Sequence, residues 1–124
     1  MATTEWTVTT TAGGISDPDT ETSDDIITGW IEGFETIPDG NVDAGATGTL
    51  SEVNGLHDDI WSGTIGSATI RKYPVHEESN PNDSDPGSKR QFYVDQQQLK
   101  LALASTGSTP GQVRIIVKYI PDYR

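Results

Sequence analysis

The chain has 124 residues, 32% of them hydrophobic, with 13 Gly, 7 Pro and no Cys, and a formal net charge of −11. That length suits one domain, and so few apolar residues among so many turn formers favour packed sheets over a helical bundle. The lack of Cys excludes disulfides and thiolate metal sites, and the acidic balance argues against a nucleic-acid partner, whose phosphates would need Lys and Arg.

The N-terminal "MATTEWTVTT" has neither a basic n-region nor an apolar h-region, and nowhere do 18 apolar residues run together. Neither a secretion signal nor a membrane-spanning helix is therefore expected. Within it, "TEWTVTTT" has the β-branched and aromatic content of a strand. The expected organisation is a single domain over residues 1–124, with residues 1–22 an extended arm or an edge strand. The acid-rich "SDPDTETSDD" that follows reads as a solvated connector.

In "DDIITGWIEGFETIP" two periods compete. Ile26, Ile27, Trp30, Ile31 and Phe34 would line one helical face behind a Thr22 or Ser23 cap. Gly29 and Gly33 oppose that, each costing about 1 kcal/mol inside a helix, and the segment is assigned as a strand. The Gly-rich stretch beyond it contains "GTLSEVNG", a short strand entering a turn at Asn54-Gly55. "SATIRKYPV" and "RQFYVDQ" read as further short strands, with Pro74 at a strand end or on an edge because it cannot donate to a ladder.

The clearest alternation comes last. "QQLKLALAS" places Leu99, Leu101 and Leu103 on one face, and "QVRIIVKYI" places Val113, Ile115, Val117 and Tyr119 on one face and Arg114, Ile116, Lys118 and Ile120 on the other. With seven turn-rich residues between them, the two runs are expected to pair as an antiparallel hairpin. Seven or eight short strands in all predict an all-β fold, an antiparallel β-sandwich or small jelly roll.

Charge is divided unevenly along the chain. Residues 1–70 hold thirteen acids and no Lys or Arg, while residues 71–124 hold all eight bases against six acids. One reading is ordinary surface composition, scattered once a fold interleaves the two halves. The other is a pair of complementary patches meeting a neighbouring copy or a charged scaffold.

No motif dictates a chemistry. "SNPNDSDPGSKR" (residues 79–90) offers oxygen ligands at Asn80, Asn82, Asp83 and Asp85, yet a calcium loop of the EF-hand type needs Gly at position 6 and Glu at position 12, where Asp85 and Gln91 stand. It is expected to be an exposed connector that requires no calcium. His57 and His76 have no H-x-x-x-H spacing, and "WSGTIG" is not a G-x-S-x-G elbow. No cofactor, metal or catalytic residue is expected. Trp6, Trp30, Trp61, Tyr119 and Tyr123 could form an aromatic platform of the carbohydrate-binding kind, but Trp30 and Trp61 are expected to plug the core of so apolar-poor a chain.

Taken together, "TGWIEGFETIPDG", "GTLSEVNGLHDDIWSG" and "LKLALASTGSTPGQVRIIVKYI" resemble the layout of small all-β structural proteins of tailed phages and related viruses. The first element is carried by Gly29, Ile31, Thr36 and Pro38. The turn is carried by Gly55, Asp59, Ile60 and Gly63, with Glu52 where Asp is usual and one extra residue of spacing. The closing pair is carried by Leu99, Leu101, Leu103, Gly111, Val113, Ile115 and Val117. The resemblance spans residues 27–120 and puts the connector at "HEESNPNDSDPGSKR", where such proteins vary. It implies a virion component without catalysis, a capsid decoration or cement protein on the particle surface, made in the host cytoplasm. Its partners would be the major capsid protein and copies of itself, with no nucleic acid or membrane. The alternatives are a carbohydrate- or receptor-binding module and another head or tail component. The residues expected at the contact are Trp6, Trp30 and Tyr123 for apolar surface and Arg71, Lys72, Lys89, Arg90 and Arg124 for charge.

Overall fold

Alternation along the chain becomes buried and exposed faces in the computed structural model, which describes residues 1–14, 18–55, 59–77 and 89–122. Eleven strands lie among them. These are β1 (Ala2–Thr9), β2 (Asp19–Thr22), β3 (Ile27–Pro38), β4 (Thr47–Glu52), β5 (Trp61–Thr64), β6 (Ile70–Lys72), β7 (Val75–Glu77), β8 (Lys89–Gln91), β9 (Tyr93–Gln97), β10 (Leu99–Ala104) and β11 (Gln112–Pro121). The one helical piece among the described residues is a single 3-10 turn at Ala12–Gly14.

Two antiparallel sheets form an all-β sandwich. Sheet A runs β1-β11-β3, and the far edge of β3 is shared by β9 along Ile27–Trp30 and β6 along Phe34–Thr36. Sheet B runs β2-β10-β4-β5. β7 and β8 pair as a separate ribbon that brackets residues 78–88. The expected connector therefore gives up its last two residues, Lys89 and Arg90, to a strand. Its remainder lies outside the described residues. β1 and β2 both lie at sheet edges, so that the N-terminal segment adds an edge strand to each sheet. Pro74 falls between β6 and β7, where no ladder needs its missing N–H.

Leu99, Leu101, Leu103 and Leu50 of sheet B meet Val8, Val113, Ile115 and Val117 of sheet A, all fully buried. Each such side chain contributes about 1.5–3 kcal/mol by leaving water. The buried faces of β10 and β11 are those predicted, but β10 and β11 are not a hairpin. They belong to different sheets, and residues 105–111 carry the chain across the sandwich, helped by left-handed backbone at Ser105 and Gly107. Alternation tells which face of a strand is buried, and it says nothing of whether the next strand lies beside that face or across from it.

A bulge explains the competing periods of β3. Ile27, Gly29 and Ile31 point inward at spacing two; the register then slips between Lys118 and Tyr119 of β11, and Phe34 and Thr36 take over the inward face. The spacing of 4 and then 3 from Ile27 to Ile31 to Phe34 imitates a helix, although it comes from one extra residue in a strand. The inward parity before the bulge leaves Trp30 facing out.

Tryptophans close the two long sides of the sandwich. Trp6 lies inward on β1 and donates its indole N–H to the Glu21 carbonyl of β2 at 3.1 Å. On the opposite side Trp61 of β5 packs edge-on against Phe34 of β3, with ring centroids 5.2 Å apart. Trp61 thus fills the expected core role in part, whereas Trp30 does not and Trp6 does. Buried hydroxyls fasten the ends. Thr10 donates to the Gly111 carbonyl and accepts from the Gly111 N–H, and Ser23 accepts from the Leu99 N–H.

Candidate contact face

Several acids of the described segments serve the fold. Asp19, itself buried, accepts from the Thr11 N–H at 3.0 Å and from its hydroxyl, and Asp25 accepts from Thr4 Oγ1 at 2.8 Å. Asp39 accepts from the Asn41 and Gln112 N–H groups, one at each oxygen, which ties the end of β3 to the start of β11. No group of three His, Asp or Glu side chains among the described residues is placed to hold a metal ion. His57 lies outside those residues, and His76 is placed only as a backbone position in β7. "WSGT" is strand β5 and not a strand-to-helix turn.

The two outer faces differ in character. That of sheet B is built from small side chains, with Thr20 and Thr22 on β2, Thr47, Thr49 and Ser51 on β4, and Ala102 and Ala104 on β10, joined by the single charge of Lys100. That of sheet A carries aromatic, aliphatic and charged groups in rows across the strands. In one row Ile120 of β11, Trp30 of β3 and Tyr93 of β9 are cross-strand neighbours. Trp30 is 38% and Ile120 40% exposed. The Trp30 and Tyr93 rings sit 4.9 Å apart at 59°, too tilted to form a flat platform, and the Tyr93 hydroxyl donates to Asp122 Oδ2 at 2.7 Å.

In the next row the bulge turns Glu32 and Gly33 to the outside opposite Lys118. Gly33 is required there, because a Cβ would come within 2.8 Å of the Tyr73 ring and 3.0 Å of the Lys72 carbonyl. Tyr73, 71% exposed, therefore lies over the strand. It forms one wall of a shallow groove of about 250 Å³, lined also by Glu32, Glu35, Arg71, Ile116 and Lys118. In the third row Arg71 Nε donates to Glu35 Oε2 at 2.8 Å. That hydrogen bond, followed by the charge of Glu35, raises the Arg71 guanidinium above its already high pKa, so Arg71 stays cationic.

Of the expected contact residues, Trp30 and Arg71 lie on this face, and Lys72 is exposed at its β6 edge. Trp6 is 7% exposed and belongs to the core, a correction that follows from its parity with Val8. Lys89 and Arg90 are placed only as strand positions in β8, and Tyr123 and Arg124 lie outside the described residues. The uneven charge of the two halves is largely interleaved. Both described ion pairs, Glu35–Arg71 at 2.8 Å and Glu5–Arg114 at 3.0 Å, join an acid from the first half to an Arg from the second. Ile116, Ile120, Tyr73, Tyr93, Glu32 and Lys118 were not among the expected contact residues. The signal for two of them was present, since a solvent face of β11 that includes Ile116 and Ile120 is too apolar for a strand that only faces water.

Compared with known proteins, the chain matches no family model, no curated protein and no solved structure. The resemblance to virion structural proteins accordingly rests on its strand and turn patterns alone.

Proposed function

We propose that this protein is a non-catalytic structural component of a virus particle, of the capsid decoration or cement type, that meets neighbouring subunits through the outer face of sheet A. The observation that supports this best is the row of exposed Ile120 and Trp30 with half-buried Tyr93, which continues into the Tyr73 groove and is bordered by charges of both signs. Exposed aromatic and aliphatic anchors ringed by polar groups are how protein contacts concentrate their affinity. A particle lattice multiplies modest contacts, so one such face per copy suffices for firm attachment. The acids on the loops and edges keep the rest of the surface soluble and repel nonspecific neighbours.

The tilt between Trp30 and Tyr93 favours this reading over a carbohydrate platform, where rings lie open and flat against a sugar. The test is to purify particles, strip them along a salt gradient and follow this chain. Ionic contacts on the face are screened within about 8 Å at physiological ionic strength, so release should begin with rising salt and be completed by the Trp30→Ala change. Absence of the chain from particles, together with binding of the isolated chain to a defined glycan, would replace the proposal with the carbohydrate-binding one.

A further inference from the structure

We infer that the outer face of sheet A is a two-fold contact between two copies of this chain, with the symmetry axis running along the strands between β11 and β3. This rests on the reading of that face as a subunit contact and names its occupant.

The argument is the order of charge across the sheet. In the rows from Arg114 to Lys118 the face presents Glu5 on β1, Arg114 and Lys118 on β11, Glu32 and Glu35 on β3, and Arg71 on β6, so there its sign alternates strand by strand, while Asp122 and Asp95 lie beyond the Trp30 row. In those rows three acids are balanced by three bases, in a chain whose net charge is −11. Rotation by 180° about a line between β11 and β3 lays β11 of one copy on β3 of the second, and β1 on β6. Every acidic strand then faces a basic one. Lys118 comes to Glu32 of the second copy and Glu5 to its Arg71, and the reverse pairs form by symmetry, which is what an isologous contact requires. An axis across the strands would instead set β3 on β3 and stack acid on acid.

Apolar groups obey the same operation, for Ile120 and Trp30 are cross-strand neighbours on β11 and β3, and the rotation puts each on the other. Neither Lys118 nor Glu32 has a partner among the described residues, unlike Arg71 with Glu35. Size is adequate as well. The 8 residues of β1, 10 of β11 and 12 of β3, with 5 of β9 and 3 of β6 along its far edge, cover about 600 Å² at about 3.3 Å per residue and about 4.8 Å per strand. Two copies then bury roughly 1,200 Å² in all, the lower end of a standard interface. Among the described residues sheet B's outer face has no large apolar side chain to anchor a contact, so it serves as the control surface.

Sedimentation equilibrium of the full chain from about 1 μM to about 1 mM, at low and high salt, tests this. A dimer that weakens with salt is expected, and Trp30→Ala should weaken it at least about tenfold, one anchor's worth of affinity. Lys118→Glu should weaken it too, by setting like charges together, and adding Glu32→Lys in the same chain should restore it. Ala102→Glu on sheet B should leave it unchanged. Melting curves of each variant show that the fold is intact. A monomer at every concentration, a dimer indifferent to Trp30→Ala, or a double charge swap weaker than both single changes would overturn the inference. Dimers in solution from a chain absent from particles would keep this inference and end the virion reading. A chain bound to particles but monomeric in solution would do the reverse.

Discussion

Replacing Thr36 by valine should stabilise this protein, whereas the same replacement at Thr10 should weaken it. Both are buried threonines, Thr36 in β3 and Thr10 one residue past the end of β1. Thr36 stands opposite Ile115 on one side and Ile70 on the other, and its hydroxyl has no hydrogen-bond partner among the described residues. A buried hydroxyl left unpaired costs about 1–3 kcal/mol of desolvation. Valine keeps the β-branched shape, the stiff χ1 and the strand preference, and it removes that cost. A gain of about 1 kcal/mol is expected, or about 3–5 °C in Tm for a domain of this size. At Thr10 the hydroxyl accepts from the Gly111 N–H at 2.8 Å, and valine would leave that buried N–H without its partner. The expected loss is about 1–3 kcal/mol. Urea melts followed by circular dichroism, with unchanged m-values, would read both signs. If Thr36→Val destabilises as Thr10→Val does, the Thr36 hydroxyl has a partner such as an ordered water, and the reasoning fails.

Leu101→Ala should cost about 2–5 kcal/mol, because Leu101 is fully buried in the middle of sheet B between Glu21 and Leu50 of the flanking strands; a loss well under 1 kcal/mol in a chemical melt would show that the core is not centred there. Gly29→Ala should be worse tolerated than Gly48→Ala. The new Cβ at Gly29 would lie 2.2 Å from the Ile120 carbonyl oxygen, which is backbone, while at Gly48 it would meet the Ile65 Cδ1 end of a side chain that can turn away; comparing the two melting temperatures decides it. Melting curves with calcium and with chelator should coincide, since Gln91 stands where a calcium loop counted from Asn80 needs Glu at position 12. A marked rise with calcium would revive a site on Asn82, Asp83 and Asp85.

Legibility followed the range of each interaction. The inward faces of β10 and β11 were readable, for strict alternation places Leu101 or Ile115 on a face by local geometry alone. β3 was harder, because the bulge at Glu32 and Gly33 is imposed by pairing with β11, whose partner residues lie more than eighty positions away. The contact face was hardest. Its rows are drawn from β1, β3, β6, β9 and β11, and no contiguous stretch contains a whole row.

What the sequence determined by itself was therefore the class of fold and the centre of the core. Side-chain direction in a strand depends only on the neighbouring residues, so alternating Leu99, Leu101, Leu103 and Val113, Ile115, Val117 had to be buried together. What only the tertiary structure decided was which strands lie side by side. β10 and β11 are consecutive in sequence, yet they face each other across the core, because residues 105–111 can cross between sheets as readily as they can turn within one. Strand order in turn set β1 beside β11 and β11 beside β3. That placement puts Glu5 against Arg114, converts a charge imbalance along the chain into alternation across a face, and turns Trp30 outward while Trp6 closes the core.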